Sequence, residues 1–301
     1  MVVRFKLQEP KLRGFSPSSP FSVNSKGHHV HEILRLLGGT INVHDKFLGK
    51  DIVLNADYSR KISPKRSAKP EKIVELLYQP DEQITLEDYT KFLTKTAGSN
   101  KEFFGRIRQE LVHLLVCCKS DSHAEAFLHL YRILEHMSLA FPVLYSKYQS
   151  DFKASHAFHK SLFKGERDSD FVALKVFTSV LANSANLSDM PFCFDYSIFE
   201  KKYADACIKE LKSRLSPEFQ ALIDDTTYQL TVPFILVPGL IIEVRNKTFH
   251  FMNEDNNFHI CETGGAHFLF SPITNEALHW FFHMFAEMIR ALSRDHIQYA
   301  R

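Results

Sequence analysis

An arginine, an asparagine and a histidine stand close together at the end of a long apolar stretch. Arg245 and Asn246 are adjacent, and His250 follows five positions after the arginine. The apolar segment 234–242 precedes them. If this segment continues as a helix, Arg245 and His250 lie about 1.4 turns apart. A guanidinium, an amide and an imidazole then come together, and such groups can hold a phosphodiester and move a proton without a metal ion.

The spacing of arginine and histidine is a weak signal by itself, because Arg108 and His113 have the same spacing. Those two residues lie in the apolar stretch 107–118, which favours a buried or interhelical role for them. An asparagine directly after the arginine is much rarer by chance, and this favours the site at Arg245. Two other interpretations stay open there. The cations can simply suit the helix C-terminus, where the dipole favours positive charge, and the asparagine can be a capping residue.

The composition is that of a folded, mildly basic chain. Its 301 residues are 45% hydrophobic and include 27 Phe, which supports a substantial core. The formal net charge is +2, too small for a chain devoted to nucleic acid, so any such contact must be local. Five cysteines without a C-x-x-C pair favour buried thiols in a reducing compartment. We therefore expect neither disulfides nor structural zinc.

The chain is expected to be cytoplasmic and not to enter a membrane. Its N-terminus has no apolar segment long enough for a signal peptide. The long apolar run 232–244 contains Pro233, Pro238 and Gly239, and it is too short to span a bilayer.

Two patterns divide the chain. Residues 1–95 combine short predicted helices with predicted strands at 40–43 and 51–54. From residue 96 onward apolar residues recur at helical spacing. Helices are predicted there at 102–118, 122–144, 170–185, 198–215, in the segment that carries the motif, and at 274–292. The second of these should stop near Pro142. We predict a mainly α protein, with a small α+β domain over residues 1–95 and an all-helical domain over residues 96–301.

The six residues 245–250, which read R-N-K-T-F-H, resemble the R-N-x-x-x-H signature of HEPN domains. These are metal-independent ribonucleases of toxin–antitoxin, CRISPR-associated and abortive-infection systems. The position of the motif is also similar to that family, late in a helical bundle with one more apolar helix to follow. The resemblance extends over residues 102–301 and implies a HEPN-like helical bundle. Nothing in residues 1–95 takes part in it.

The resemblance implies a reaction in which the 2′-hydroxyl of RNA attacks the adjacent phosphate. It leaves a 2′,3′-cyclic phosphate and a 5′-hydroxyl, and it needs no metal ion or other cofactor. His250 would be the general acid or base. Arg245 would hold the scissile phosphate and stabilise the charge of the transition state, and Asn246 would orient the phosphate.

Further residues are expected to support this chemistry. The family often places an acidic residue of an early helix opposite the motif arginine, and Glu135 is the first choice for it, with Glu125 second. Glu135 is otherwise an ordinary surface carboxylate that pairs with Arg132. Lys247 would add positive potential. A basic loop is the best candidate for contact with the RNA backbone, although it also fits a solvated linker: Arg60, Lys61, Lys65 and Arg66.

The resemblance also implies partners. Two protomers of this family usually bring their motifs together, so we expect a homodimer with a composite active site. A toxin or anti-phage effector would also have an antitoxin or another defence protein as a partner, and residues 1–95 would sense, regulate or position the substrate. Two alternatives stay open: a catalytically inactive helical module that dimerises or binds a partner, and an RNA-binding subunit of a defence complex.

No metal site is expected. The histidine-rich segment 28–32 has some likeness to a metal-binding sequence, but it lacks the H-E-x-x-H pattern. Histidines next to a polar loop are usually solvated, so we expect these side chains to face water.

Overall fold

The computed structural model describes residues 4–10, 20–23, 27–59, 69–78, 84–147, 152–162, 170–249 and 257–298. Most of them are helical, and two small antiparallel sheets accompany the helices, so the mainly α class is confirmed. The helices are α1 His29–Leu37, α2 Pro70–Leu77, α3 Leu86–Phe92, α4 Lys101–Lys119, α5 His123–Lys147, α6 Phe152–Leu162, α7 Asp170–Ser184, α8 Lys201–Arg214, α9 Pro217–Gln220, α10 Val237–Phe249 and α11 Ala266–Gln298. The strands are β1 Phe5–Gln8, β2 Asn42–Asp45, β3 Lys50–Val53, β4 Pro191–Asp195, β5 Ile223–Asp224 and β6 Gln229–Pro233.

Helix α5 lies at the centre of the helical part of the chain. It packs against α4, α6, α7, α10 and α11. Residues at helical spacing along it are completely buried: Phe127, Leu130, Leu134, Met137 and Phe141. The prediction that this helix stops near Pro142 is wrong, since it continues to Lys147. Proline removes one backbone hydrogen bond, but Phe141 and Leu144 are buried on either side of it, and that packing keeps the segment helical.

The first sheet has the order β1–β2–β3, and both pairings are antiparallel. Strands β2 and β3 confirm the two predicted strands with small shifts of their bounds, whereas β1 was not predicted. Val43 of β2 pairs with Ile52 of β3, and both side chains are buried. This alternation turns one face of the small sheet toward the core.

Arg35 of α1 ties the first helix to the chain around it. Its guanidinium is completely buried and donates to both carboxylate oxygens of Glu9, at 2.9 and 2.7 Å. It also donates to the backbone carbonyl of Thr40 at 2.9 Å. A buried charge of this kind is tolerated only when it is paired and hydrogen-bonded. The contacts of Arg35 therefore hold the segment before α1 and the turn after it.

The predicted boundary between the two domains, at residues 95 and 96, falls in a π-helical turn at Leu93–Ala97. Hydrophobic packing continues across this turn, because Phe92 before it and Phe104 after it are both buried in the same core. In addition, α1 packs on α4, and α2 and α3 pack on α11. The division into two domains stays a prediction.

A second sheet corrects the prediction of an all-helical domain after residue 95. Strands β4, β6 and β5 form an antiparallel sheet in that order. Phe192 and Phe194 of β4 are completely buried, as are Leu230 and Val232 of β6. These strands have at most five residues. An alternation of apolar and polar residues over five positions or fewer is too short to be recognised beside long helical patterns.

Helix α11 begins at Ala266, eight residues before the predicted start at position 274, and it contains Pro272. Its aromatic face is buried, and the indole N–H of Trp280 donates to the carbonyl of Phe234 at 3.1 Å. This contact joins α11 to the turn that precedes α10. Neither α11 nor any other helix of the described residues has the length and apolar composition that crossing a bilayer requires.

Replacing Arg35 by methionine should destabilise the fold strongly. The variant keeps most of the apolar length but leaves Glu9 without its cationic partner. We expect the free energy of unfolding to fall by about 3 kcal/mol, the low end for a broken buried pair, because Glu9 is partly exposed. Urea denaturation followed by circular dichroism measures the change. Lys91→Met is the matched control, since Lys91 and Glu87 form an ion pair in exposed positions. Equal effects of the two substitutions would contradict this role of Arg35.

Candidate active site at the end of helix α10

Helix α10 carries the polar residues 245–247 close to its C-terminal end. Strand β6 ends at Pro233, a 3-10 turn follows at Phe234–Leu236, and α10 begins at Val237, so the predicted helix is confirmed. Side chains at helical spacing hold it against the core and are completely buried: Val237, Leu240, Ile241 and Val244. The polar residues 245–247 follow the buried residues and lie near the C-terminal end of the helix, where the helix dipole favours positive charge.

Arg245 is held against an aromatic ring. Its guanidinium lies over the ring of Tyr131 of α5, with 4.8 Å between Cζ and the ring centroid. The ring of Tyr131 in turn packs against Phe171 of α7, with centroids 5.4 Å apart. Burial raises the pKa of Tyr131, whereas the charge of Arg245 acts in the opposite direction. One N–H of the guanidinium also donates to the side-chain oxygen of Asn246 at 3.2 Å.

Asn246 lies at a cavity of about 460 Å³ between α7, α9 and α10. Lys175 and Ser179 of α7 line the same cavity. Lys175 comes close to α10 at Gly239, where its Nζ is 3.6 Å from the position that a Cβ atom would occupy. An ammonium, an amide and a hydroxyl thus border one cavity, and all three are groups that commonly bind phosphate oxygens.

Glu243 offsets part of the positive charge near the motif. Its carboxylate accepts hydrogen bonds from the backbone N–H and the hydroxyl of Ser216, at 2.5 and 2.8 Å. Nζ of Lys247 lies 3.8 Å from the same carboxylate. Ser216 directly precedes α9, so Glu243 connects the start of that helix to α10. The positive potential predicted for Lys247 is reduced by this acidic neighbour.

Phe249 is the last residue of α10 and anchors its end. Its ring stacks on Phe127 of α5 and on Phe270 of α11, with centroid distances of 6.5 and 6.3 Å. The side chain nevertheless stays 40% exposed. Two helices therefore determine where α10 ends, and an apolar ring stands at the surface beside the motif.

Several predicted site residues lie outside the described residues. His250 directly follows α10 and belongs to the segment 250–256, which is not described. The basic residues predicted to contact RNA also lie outside the described part of the chain: Arg60, Lys61, Lys65 and Arg66. Where the description resumes, the backbone N–H of Phe258 donates to the carbonyl of Lys247 at 2.8 Å. The chain is thus held to the last turn of α10 on the far side of that segment.

Glu135 lies one turn beyond Tyr131 on α5 and is exposed. It contributes to the raised pKa of Tyr131, so Glu135 and Arg245 both lie near the same ring. A pairing between these two charges stays a prediction. Arg132, the alternative partner for Glu135, lies 3.9 Å from the carboxylate of Glu110 on α4.

Glu135 also lines a cavity of about 920 Å³ beside the start of α4. Five other titratable side chains line this cavity: His29, Lys101, Glu102, Arg106 and His136. None of them is a predicted site residue, because single charged residues on amphipathic helices usually face solvent. The cavity therefore combines basic and acidic groups, and neither Arg245 nor Asn246 lines it.

The prediction that the side chains of the histidine-rich segment 28–32 face water is wrong. His31 is buried, and its Nδ1 lies 3.3 Å from the hydroxyl of Tyr89. His29 pairs with Glu32 at 2.9 Å, and Glu32 also accepts from Arg108 at 2.6 Å. Arg108 therefore has the interhelical role expected of it. The prediction failed because α1 lies between other helices, which a nine-residue segment does not reveal.

Tyr131 and Lys175 are the residues near the motif that sequence reasoning missed as site residues. Tyr131 lies on the central helix α5, and Lys175 lies in the middle of the long helix α7. Aromatic and basic residues at such positions are common on helices, so nothing in their spacing marked them. Only the packing of α5 and α7 against α10 brings them to Arg245 and Asn246.

Comparisons of the chain with models of known protein families, with curated proteins and with solved structures found no match. The likeness to HEPN domains therefore stays an inference from the six motif residues and their place in the fold.

A double-mutant cycle should detect the contact between Arg245 and Tyr131. We expect Arg245→Ala and Tyr131→Leu to be less than additive in unfolding free energy, with a coupling of about 0.5–2 kcal/mol. Urea denaturation of the two single variants and the double variant measures it. Tyr131→Phe should preserve the coupling, because it keeps the ring. Arg132→Ala with Tyr131→Leu is the control pair and should be additive. Additive effects for Arg245 as well would contradict the ring contact.

Proposed function

We propose that this protein is a cytoplasmic, metal-independent endoribonuclease of the HEPN type that acts as a toxin or an anti-phage effector. One observation carries the proposal: an R-N-x-x-x-H sequence begins at Arg245, near the C-terminal end of a buried helix. The packing of that helix against α5, and the long helix α11 that follows it, support the proposal. So does the ring of Tyr131, which gives the arginine a defined position.

The geometry suits the binding of a phosphate by Arg245. Stacking on Tyr131 uses the flat face of the guanidinium, whereas a phosphate binds the N–H groups at its edge. The two interactions are therefore compatible. Asn246 and Lys175 border the adjacent cavity and would contact neighbouring phosphates of the chain. The guanidinium would stabilise the additional negative charge on the phosphorus oxygens in the transition state.

The proposed reaction requires two proton transfers. A base removes the proton of the 2′-hydroxyl as its oxygen bonds to phosphorus, and an acid gives a proton to the leaving 5′-oxygen as that bond breaks. The motif has a single imidazole, at His250. We therefore propose that two protomers form a homodimer and that each supplies one His250 to a composite site. Phe249 and Leu128, which are 40% and 37% exposed, offer apolar surface for this contact beside the motif.

RNA cleavage in the presence of EDTA tests the proposal directly. Wild-type protein should cleave a mixed RNA pool and leave 2′,3′-cyclic phosphate ends. His250→Ala should lower the rate by about 10²-fold or more, because it removes the group that transfers protons. Arg245→Lys should also lower it strongly, since an ammonium lacks the planar fork. Gel analysis of end-labelled RNA, together with end-group analysis, measures both effects.

Arg132→Ala is the matched control for that experiment, because Arg132 is an exposed arginine beside Tyr131 and outside the motif. It should leave cleavage unchanged. Folded wild-type protein that cleaves no RNA, with or without a candidate partner protein, would favour the inactive interaction module. RNA binding that Arg245→Ala weakens and His250→Ala does not, without cleavage, would favour the RNA-binding subunit.

Mixing experiments test the composite site separately. When wild type and His250→Ala exchange subunits at a constant total concentration, activity should fall approximately with the square of the wild-type fraction, because only dimers with two His250 residues are fully active. A linear fall would show that one protomer forms a complete site. Sedimentation velocity provides the control, since both proteins should be dimers of the same size.

A further inference from the structure

Three side chains of types that can bind a metal ion converge where the turn between α4 and α5 meets the start of α11. They are Asp121, His123 and His267, and their ligand atoms lie within 4.8 Å of one another. Asp121 and His123 are close in sequence, but His267 comes from the far end of the chain. The sequence therefore gave no reason to connect them, and none of them belongs to the candidate active site.

The backbone presents Asp121 in an unusual conformation. Its φ of 56° lies in the left-handed region, which is adopted mainly by glycine and, less often, by asparagine and aspartate. The turn is closed on both sides of it, since the N–H groups of Ser120 and Ser122 donate to the carbonyl of Cys117 at 3.1 and 2.9 Å. This turn directs Asp121 toward the first residue of α5, which is His123, with 3.5 Å between the carboxylate and Nε2.

The two imidazoles are packed against each other. The ring centroids of His123 and His267 are 4.6 Å apart and the rings are nearly perpendicular. His267 is further enclosed by Phe199 and Phe268, with centroid distances of 5.5 and 5.2 Å. These contacts restrict the orientation of both rings, as a metal site requires.

His123 has polar atoms that the described residues leave unsatisfied. Its side chain is 8% exposed, and neither ring nitrogen has a hydrogen-bond partner among the described residues. The 3.5 Å from Nε2 to the carboxylate of Asp121 is longer than an ordinary hydrogen bond. It is close to the roughly 3.3 Å that separates two ligands of one tetrahedral zinc ion with bonds of about 2.0 Å.

We propose that Asp121, His123 and His267 bind one divalent transition-metal ion, with zinc as the expected metal, and leave a fourth position to water or a small ligand. Two imidazoles and a carboxylate are typical zinc ligands. His123 also lines a cavity of about 430 Å³, together with Lys119, Asp195 and Asn275. The ion would therefore lie at the edge of a cavity that has polar groups of its own.

Two other clusters in the described chain have ligand atoms equally close, but they are less suitable. In the first, Cys117, Glu125 and His129, burial and the nearby Glu125 raise the pKa of Cys117 to about 12, so a thiolate is disfavoured. In the second, Glu210, His259 and Glu262, a cation is already present. Arg214 lies 3.7 Å from Glu210 and 3.3 Å from His259.

A metal at this position would connect the start of α5 to the start of α11. His267 is three residues before Phe270, whose ring stacks on Phe249 at the end of α10. Bound metal would therefore stabilise the part of α11 that supports the end of the motif helix. The proposal does not depend on the ribonuclease proposal, because the reaction proposed there requires no metal.

Metal titration of the full chain tests the site. The protein is stripped with EDTA, the chelator is removed, and Zn²⁺ binding is measured by isothermal titration calorimetry. We expect one ion per chain. Asp121→Asn and His267→Gln should each weaken binding by about 10²-fold, since outer-shell changes alone cost 10–100-fold at metal sites. Asparagine tolerates the left-handed backbone, so Asp121→Asn should remain folded, which circular dichroism checks. His259→Gln is the matched control and should bind as wild type does.

Cobalt substitution identifies the ligands independently. Co²⁺ held by two imidazoles and a carboxylate should give visible absorption bands without a thiolate-to-cobalt charge-transfer band in the near ultraviolet. A strong thiolate band would show that a cysteine binds the metal and would overturn the proposal, because the proposed site contains no thiol. So would zinc binding that neither Asp121→Asn nor His267→Gln changes, or the absence of zinc binding by folded wild-type protein. RNA cleavage is not a readout in either experiment, so failure here leaves the ribonuclease proposal untouched.

Discussion

The burial of helix α5 is the constraint on which the other helices depend. Phe127, Leu134 and Phe141 lie on this helix and are completely buried, and five helices pack around it. Protein interiors are close-packed, so each of the surrounding helices has a limited choice of position. The site at the end of α10 is a consequence of that packing, because α5 supplies Phe127 below Phe249 and Tyr131 below Arg245.

Arg245 illustrates how one residue serves both packing and chemistry. A guanidinium is planar and weakly hydrated, so it can cover the ring of Tyr131 and keep its charge. A lysine at this position would place a compact, strongly hydrated charge over the same ring and could not offer a bidentate edge to a phosphate. The choice of arginine therefore fits the observed ring contact whether or not the site is catalytic. The asparagine beside it is the more specific element, since a purely structural arginine does not require it.

The two sides of α10 differ in chemistry. Toward α5, Arg245 meets an aromatic ring and the exposed carboxylate of Glu135 is one turn away. Toward α7 and α9, Asn246 borders a cavity with Lys175, and Glu243 holds Ser216. The end of α10 thus joins an arginine supported by a ring to an amide close to a lysine, since the side chains of Arg245 and Asn246 are hydrogen-bonded to each other.

Local patterns predicted the helices well, because the stripe of apolar residues on a helix is set by neighbours three and four positions away. The motif helix is the clearest case. The local sequence alone predicts this helix and its buried face, which consists of Val237, Leu240, Ile241 and Val244. Two predictions about secondary structure failed, and each failure has an explanation in particular residues. The second sheet consists of strands of five residues or fewer, and Pro142 is a helix breaker in isolation that buried neighbours on both sides overcome.

The sequence by itself determined that the protein is mainly helical, that α10 is buried along one face and that Arg245 and Asn246 stand at its end. It also determined the likeness of those residues to a known signature. Only the tertiary structure decided that Tyr131 supports Arg245, that Lys175 approaches α10 at Gly239, and that His267 meets His123. The physical reason is that helical periodicity is a short-range property, whereas these contacts join residues far apart in the chain. Such contacts arise only when all the helices pack around α5 together.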